Sequence, residues 1–197
     1  MKIVSKVTPQ EFELEFLRAE WYKEIYNSVR LQFNEIIINA DTNNEEQNSH
    51  RSKLLWEWRK PLLERLPSEI DWMLIELEDG EFDELRVIRE IGWEKTFGVG
   101  KTVKEVALAV RNNVQEFGGV GFDLFFKIKE KIGIQQFNDK IILISPDINP
   151  PYTIIEGNHR AIAFSLKMLE TEKNDHIPRQ FLLGISSLMH TSAWLNG

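Results

Sequence analysis

Apolar positions recur at two different spacings along the chain, and the change from one to the other divides it. Phe12, then Phe16 or Leu17, Trp21 and Ile25 fall at helical spacing. Ahead of them Thr8-Pro9-Gln10-Glu11 has the form of a capping box, with Pro at the first helical position. A helix over about residues 9–31 is predicted. The polar stretch NADTNNEEQNSH, residues 39–50, reads as an exposed loop. Leu54, Leu55, Trp58 and Leu62 then share one stripe of a second helix, which Pro61 bends or ends. Residues 1–69 therefore read as a helical N-terminal extension.

The pattern changes near residue 70. DWMLIELE and EFDELRVIRE read as two strands joined around Asp79-Gly80, a hairpin signal. Helical spacing returns at Val103, Val106, Ala107, Val110 and Val114. EFGGVGF, residues 116–122, reads as a link before a short helix in DLFFKIKEKIG that ends at Gly133. KIILIS (140–145) and YTIIE (152–156) are strands around a Pro-rich turn. A helix begins near Asn158, and RQFLLGIS (179–186) is a last strand. Mixed strands and helices from residue 70 to 197 predict an α+β domain.

Composition narrows the class. The 197 residues suit one domain, or one domain with an appendage, and 12 Phe and 6 Trp supply bulk for a core. No run approaches the ~20 apolar residues that cross a bilayer. The start, MKIVSKVTPQEFELEF, turns acidic too soon for a signal peptide, so a cytoplasmic protein is expected. The absence of cysteine excludes disulfides and thiolate chemistry. Residues 1–100 hold 13 Lys/Arg against 21 Asp/Glu, and residues 101–197 hold 11 against 10. The acidic front half would repel a nucleic-acid backbone, so a nucleic-acid partner is disfavoured and a small bound phosphate fits better.

Three motifs bear on chemistry. GVGKT (98–102) resembles the end of a phosphate-binding P-loop, but Lys95 stands where the first glycine belongs. Lys101, Thr102 and Lys104 still open a predicted helix, whose free N–H groups favour an anion; otherwise Thr102 is a cap on a solvated helix start. GISSL (184–188) lacks the final glycine of a nucleophile elbow. His50, His159, His176 and His190 show no metal-ligand spacing, so no zinc site is expected. The third motif is Glu156-Gly157-Asn158-His159-Arg160, at the junction of a strand and a helix. Gly157 permits a sharp turn and close approach. The N–H groups of Asn158, His159 and Arg160 then fall on a first helical turn. His159 adds a donor near neutral pH and Arg160 a planar fork for phosphate oxygens. The competing reading is a structural turn in which Arg160 pairs with a carboxylate such as Glu156.

YTIIEGNHRAIAF, a strand followed by [DE]-G-x-[HR]-R-x-x-A, resembles the signature of the ParB/sulfiredoxin-like superfamily, and the order of elements over about residues 70–190 is similar. The resemblance implies that Gly157, Asn158, His159 and Arg160 cradle nucleotide phosphates. Lys101, Thr102 or Lys104 would approach from an earlier helix. Asn158 stands in the slot of the sulfiredoxin cysteine, which excludes that reductase chemistry. The partitioning branch follows this domain with a DNA-reading helix-turn-helix; with only about 20 residues after EKNDH in this sequence and an acidic front half, that branch is not the expectation here. The free-serine-kinase branch implies transfer of phosphate from ATP or ADP, with Mg²⁺, to a small hydroxyl compound such as a free amino acid. Glu156 matches its signature carboxylate, and Glu90 or Glu94 would supply the second. The alternative is a non-catalytic nucleotide-responsive binding protein, or a ParB-like nucleic-acid-associated factor or nuclease. In that case the N-terminal helices, with Trp21, Trp56 and Trp58, would form a partner surface.

Overall fold

The computed structural model describes residues 1–78, 80–117, 119–134, 137, 139–171 and 178–192. The chain opens with a strand, not a helix: β1 (Lys2–Val7) pairs antiparallel with β2 (Asp71–Glu76). Thr8 then caps α1 (Pro9–Glu20) in the expected box. Its Oγ1 accepts the Glu11 N–H at 3.2 Å, and the Glu11 carboxylate accepts the Thr8 N–H at 2.7 Å. The helix expected to reach residue 31 stops at Glu20. Arg30 donates to the carbonyls of Trp21 (3.1 Å) and Lys23 (3.0 Å), which folds the chain back through a 3₁₀ turn (Glu24–Tyr26) into α2 (Arg30–Ile38). Trp21 and Ile25 keep helical spacing because both face the same core, although the backbone between them has turned.

The expected loop 39–50 is shorter than predicted. Asn44 accepts the Gln47 N–H at 3.0 Å and starts α3 (Glu45–Leu63), which passes Pro61 and ends within its next turn. Arg51, fully buried, donates to the carbonyls of Ile36 (2.9 Å) and Asp41 (3.0 Å) and so fastens α3 to the end of α2. Of the tryptophans expected on a partner surface, Trp21 is wholly buried and Trp56 is 45% exposed.

The five-stranded sheet runs β1-β2-β5-β3-β4, where β3 is Ile141–Ser145, β4 Thr153–Glu156 and β5 Gln180–Ile185. Only β3 and β5 are parallel; the other neighbours are antiparallel. The hairpin expected after Asp79 does not form, because β1 and β5 already occupy both edges of β2. Asp79 itself lies outside the described residues, and Gly80–Glu84 is turn. Residues 85–88 are pinned instead by isolated bridges from Arg86 to Thr102 and to Thr153. REIGWEKTF yields a helix that periodicity did not indicate, α4 (Ile91–Phe97). It is followed by α5 (Val103–Arg111), α6 (Phe122–Lys131), α7 (Asn158–Thr171) and a closing 3₁₀ turn (Ser187–Thr191).

Every residue of β3 is buried, as expected for a strand covered on both faces. Phe12 of α1 stacks on Trp72 of β2 at 3.9 Å and 11°. Trp72 in turn lies over Gly184, where a Cβ would sit 2.6 Å from the indole. The N-terminal helices and the sheet thus bury one continuous core, with no break at residue 70. The molecule is a mixed α+β fold. Among the described residues no helix is long and apolar enough to cross a membrane.

Candidate functional site

The turn from β4 into α7 is built around Gly157. Its φ of +96° is a conformation that L side chains rarely adopt, and an added Cβ would lie 2.9 Å from Ile141 Cγ1. Glycine therefore lets the start of α7 press against β3. The first N–H groups of α7 have no partner inside the helix and carry the positive end of its dipole. They border a cleft of about 480 Å³, which also takes Glu20, Tyr22 and Lys23 from the end of α1 and the turn after it, Arg59 from α3, Glu90 and Trp93 from α4, and Leu124 from α6.

The side chains of this turn are already engaged. Asn158 Oδ1 accepts the Ile88 N–H at 2.9 Å. His159 Nε2–H donates to the Val120 carbonyl, and its ring sits between Trp93 (5.4 Å) and Phe125 (5.2 Å). Burial holds the imidazole pKa below its ordinary value, against the pull of that carbonyl, so His159 is neutral at pH 7. Arg160, 8% exposed, pairs with the Asp139 carboxylate and donates to the carbonyls of Asp139 (2.6 Å) and Lys140 (3.1 Å). Its partner is therefore Asp139 rather than Glu156. Each of the three residues fastens a different segment to the start of α7.

The accessible charge in the cleft comes from elsewhere. Lys23 Nζ lies 2.6 Å from Glu20 and 3.6 Å from Glu156, and bridges the two carboxylates. Arg59 Nε pairs with the other oxygen of Glu20. The Glu20 side chain is 3% exposed. Burial raises its pKa first, and the neighbouring Glu156 adds to the rise, while Lys23 and Arg59 oppose it. Tyr26, wholly buried, lies against Glu20 and Arg59. Burial and the Glu20 charge push its pKa up. Lys23 and Arg59 keep 47% and 25% of their side chains exposed.

Of the residues expected at the site, Glu156, Gly157, Asn158, His159, Arg160 and Glu90 border this cleft. Glu94 does not; it pairs with Arg89 at 3.0 Å. Lys101, Thr102 and Lys104 are also elsewhere. Thr102 caps α5 and takes the N–H of Glu105, Lys101 pairs with Glu105 at 2.8 Å, and Lys104 pairs with Asp83 at 3.1 Å. Sequence reading missed Glu20, Lys23 and Arg59. The trace was present: Glu20 continues the stripe Phe12, Phe16 at the same spacing, a carboxylate in a core position. Among the described residues no group of three or more His, Cys, Asp or Glu is placed to hold a metal ion. His176 lies outside the described residues. No protein-family model, curated protein or solved structure matches this chain.

Proposed function

We propose that the cleft binds the phosphates of a nucleotide, ATP or ADP, and passes the terminal phosphoryl group to the hydroxyl of a small metabolite such as a free amino acid. One observation carries this reading: two carboxylates, two cations, one exposed and one partly exposed, and a helix N-terminus converge in one cleft. Lys23, Arg59 and the N–H groups of the first turn of α7 take the phosphate oxygens, in place of the Arg160 fork. Glu20 positions Lys23 and Arg59. Glu156, whose pair with Lys23 is a loose 3.6 Å, takes the acceptor proton. The acceptor oxygen bonds to the terminal phosphorus, the bond from that phosphorus to the nucleotide oxygen breaks, and Lys23 and Arg59 neutralise the charge left behind. Mg²⁺, held by the phosphates and by Glu90 at the cleft edge, would add charge neutralisation, which suits a cation that binds through one or two carboxylates plus phosphates. The β4–Gly157–α7 turn supports a ParB/sulfiredoxin-like assignment of the fold as part of the same proposal.

The test is thermal stabilisation by nucleotides with and without Mg²⁺, on wild type, Lys23→Ala and Arg59→Ala. A nucleotide at a hundred times its Kd stabilises by about 2.7 kcal/mol, or about 5–10 °C at this chain length. Either substitution should remove most of that shift, and Glu156→Gln should keep the shift and lose turnover. A shift that survives both cation substitutions would refute the site. If Glu156→Gln changes nothing because no turnover exists in wild type, the protein is instead a nucleotide-responsive binder. The ion pairs Lys23–Glu20–Arg59 favour that second reading in one respect: ligand at the turn would compete for cations that tie α1 to α3.

A further inference from the structure

The opposite end of β4 carries a second concavity, formed with the Gly98–Lys101 loop. Arg86 is clipped in place by its backbone: its N–H donates to the Tyr152 carbonyl and its carbonyl accepts from the Ile154 N–H, both at 2.9 Å. The next residue, Val87, donates to the Lys101 carbonyl at 3.0 Å and so brings the loop alongside. Gly98 and Gly100 bend the loop with φ of +91° and +69°. The result is a pocket of about 300 Å³ bordered by Arg86, Arg89, Gly100, Ser145, Asn149 and Thr153, with Val87, Val99 and prolines of the β3–β4 turn as its apolar wall.

Two of its polar groups, on Arg86 and Thr153, are unspent among the described residues. Among the described residues the Arg86 guanidinium has no ion pair or hydrogen bond, although it sits in a concave wall. Thr153 is 3% exposed, and its hydroxyl also has no partner among the described residues. The hydroxyl of Ser145, wholly buried, reaches only the Asn149 carbonyl at 3.4 Å. Arg89, held by Glu94 at 3.0 Å, brings a second guanidinium. The acid in the wall, Asp147, is turned into its own loop and accepts the Asn149 N–H at 2.6 Å. The Arg86 guanidinium and two hydroxyls match the charge and the acceptor oxygens of a phosphate dianion, and Arg89, though already engaged, adds positive charge beside them. The volume is at the small end of ligand pockets, and below that of the cleft.

We infer that this pocket binds a compact phosphate monoester, with its phosphate on Arg86 and the hydroxyls of Ser145 and Thr153, separately from the nucleotide cleft. The idea does not depend on the function proposed above. Calorimetric titration of the full chain with glycerol 3-phosphate, inorganic phosphate and acetate tests it, on wild type, Arg86→Ala, Arg86→Lys, Thr153→Val and Lys23→Ala. Glycerol 3-phosphate should bind wild type at one site, more tightly than inorganic phosphate, with acetate silent. Loss of one charged hydrogen-bonding group should weaken it about 10- to 100-fold in Arg86→Ala, with part of the loss in Arg86→Lys and in Thr153→Val. Lys23→Ala should leave it unchanged. Binding that Lys23→Ala abolishes would place the phosphate in the cleft and overturn the inference. So would equal affinity in wild type and both Arg86 variants, or no binding of any phosphate by wild type at millimolar concentration. Arg86 is exposed, so its variants should melt with wild type, and a melting curve checks that the fold is intact.

Discussion

Replacing Arg160 by alanine separates a structural role from a ligand-binding one. Its guanidinium makes a pair with the Asp139 carboxylate and two bonds to the carbonyls of Asp139 and Lys140. The Arg160 side chain is 9% exposed and that of Asp139 is 25%, so water recovers only part of what is lost. Counting about 1 kcal/mol for each contact, below the ~1.5–3 kcal/mol of fully buried charged hydrogen bonds because water recovers part of the loss, the substitution should cost about 3 kcal/mol. At this chain length that is a fall of about 6–12 °C in Tm. Arg160→Lys keeps the charge but reaches fewer acceptors, and should fall between the two. The assay is thermal and urea denaturation, repeated with a saturating nucleotide. The nucleotide increment should be nearly the same in wild type and Arg160→Ala if, as proposed, the phosphates rest on Lys23 and Arg59. A variant that melts within about 1 °C of wild type would refute the clamp. A variant that melts like wild type and loses the nucleotide increment would return Arg160 to the phosphate site.

His159 gives a pH dependence. Its pKa is depressed in the folded chain, so the unfolded chain binds more protons below about pH 6.5, and stability should fall as pH drops from there towards the depressed value. Urea midpoints between pH 8 and 5 should show this limb flattened in His159→Gln; Glu20, with a raised pKa, acts in the opposite direction. Gly157→Ala forces a Cβ to 2.9 Å from Ile141 at φ +96°, and strain with crowding should cost about 3–5 kcal/mol, read as a fall in the urea midpoint. Gly184→Ala places a Cβ 2.6 Å from Trp72, so it should shift the tryptophan fluorescence of the folded state and destabilise by about 1–3 kcal/mol. An unchanged spectrum and Tm would contradict the Phe12–Trp72–Gly184 stack.

Local signals in the sequence were read well where one chain segment decides the outcome. The Thr8 box, the glycine of the Gly157 turn and strands β3, β4 and β5 carry strong local patterns in their own residues, and each forms near its expected place. Errors arose where a distant partner decides. β1 exists because β2 offers an edge some seventy residues away, and its own alternation is too weak to announce it. The hairpin at Asp79-Gly80 failed for the same reason, since β5 had taken the place of its second strand. The site followed the same rule. GNHR was visible as a motif, but whether its side chains face a ligand or a loop is fixed by Ile88, Val120 and Asp139, which periodicity cannot place. Lys23 and Arg59 stand together only because α1 and α3 pack against each other around Glu20.

The three clamps at the start of α7 also bear on how the chain assembles. They join residues 70, 39 and 21 apart in sequence, so each closes a loop of a different size onto one helical turn. None can repay its loop entropy until the segment it holds has been brought to β3. The turn should therefore close late, and weakening it should act mainly on the rate of escape from the native state, so that the life of the folded protein is set there more than its speed of folding.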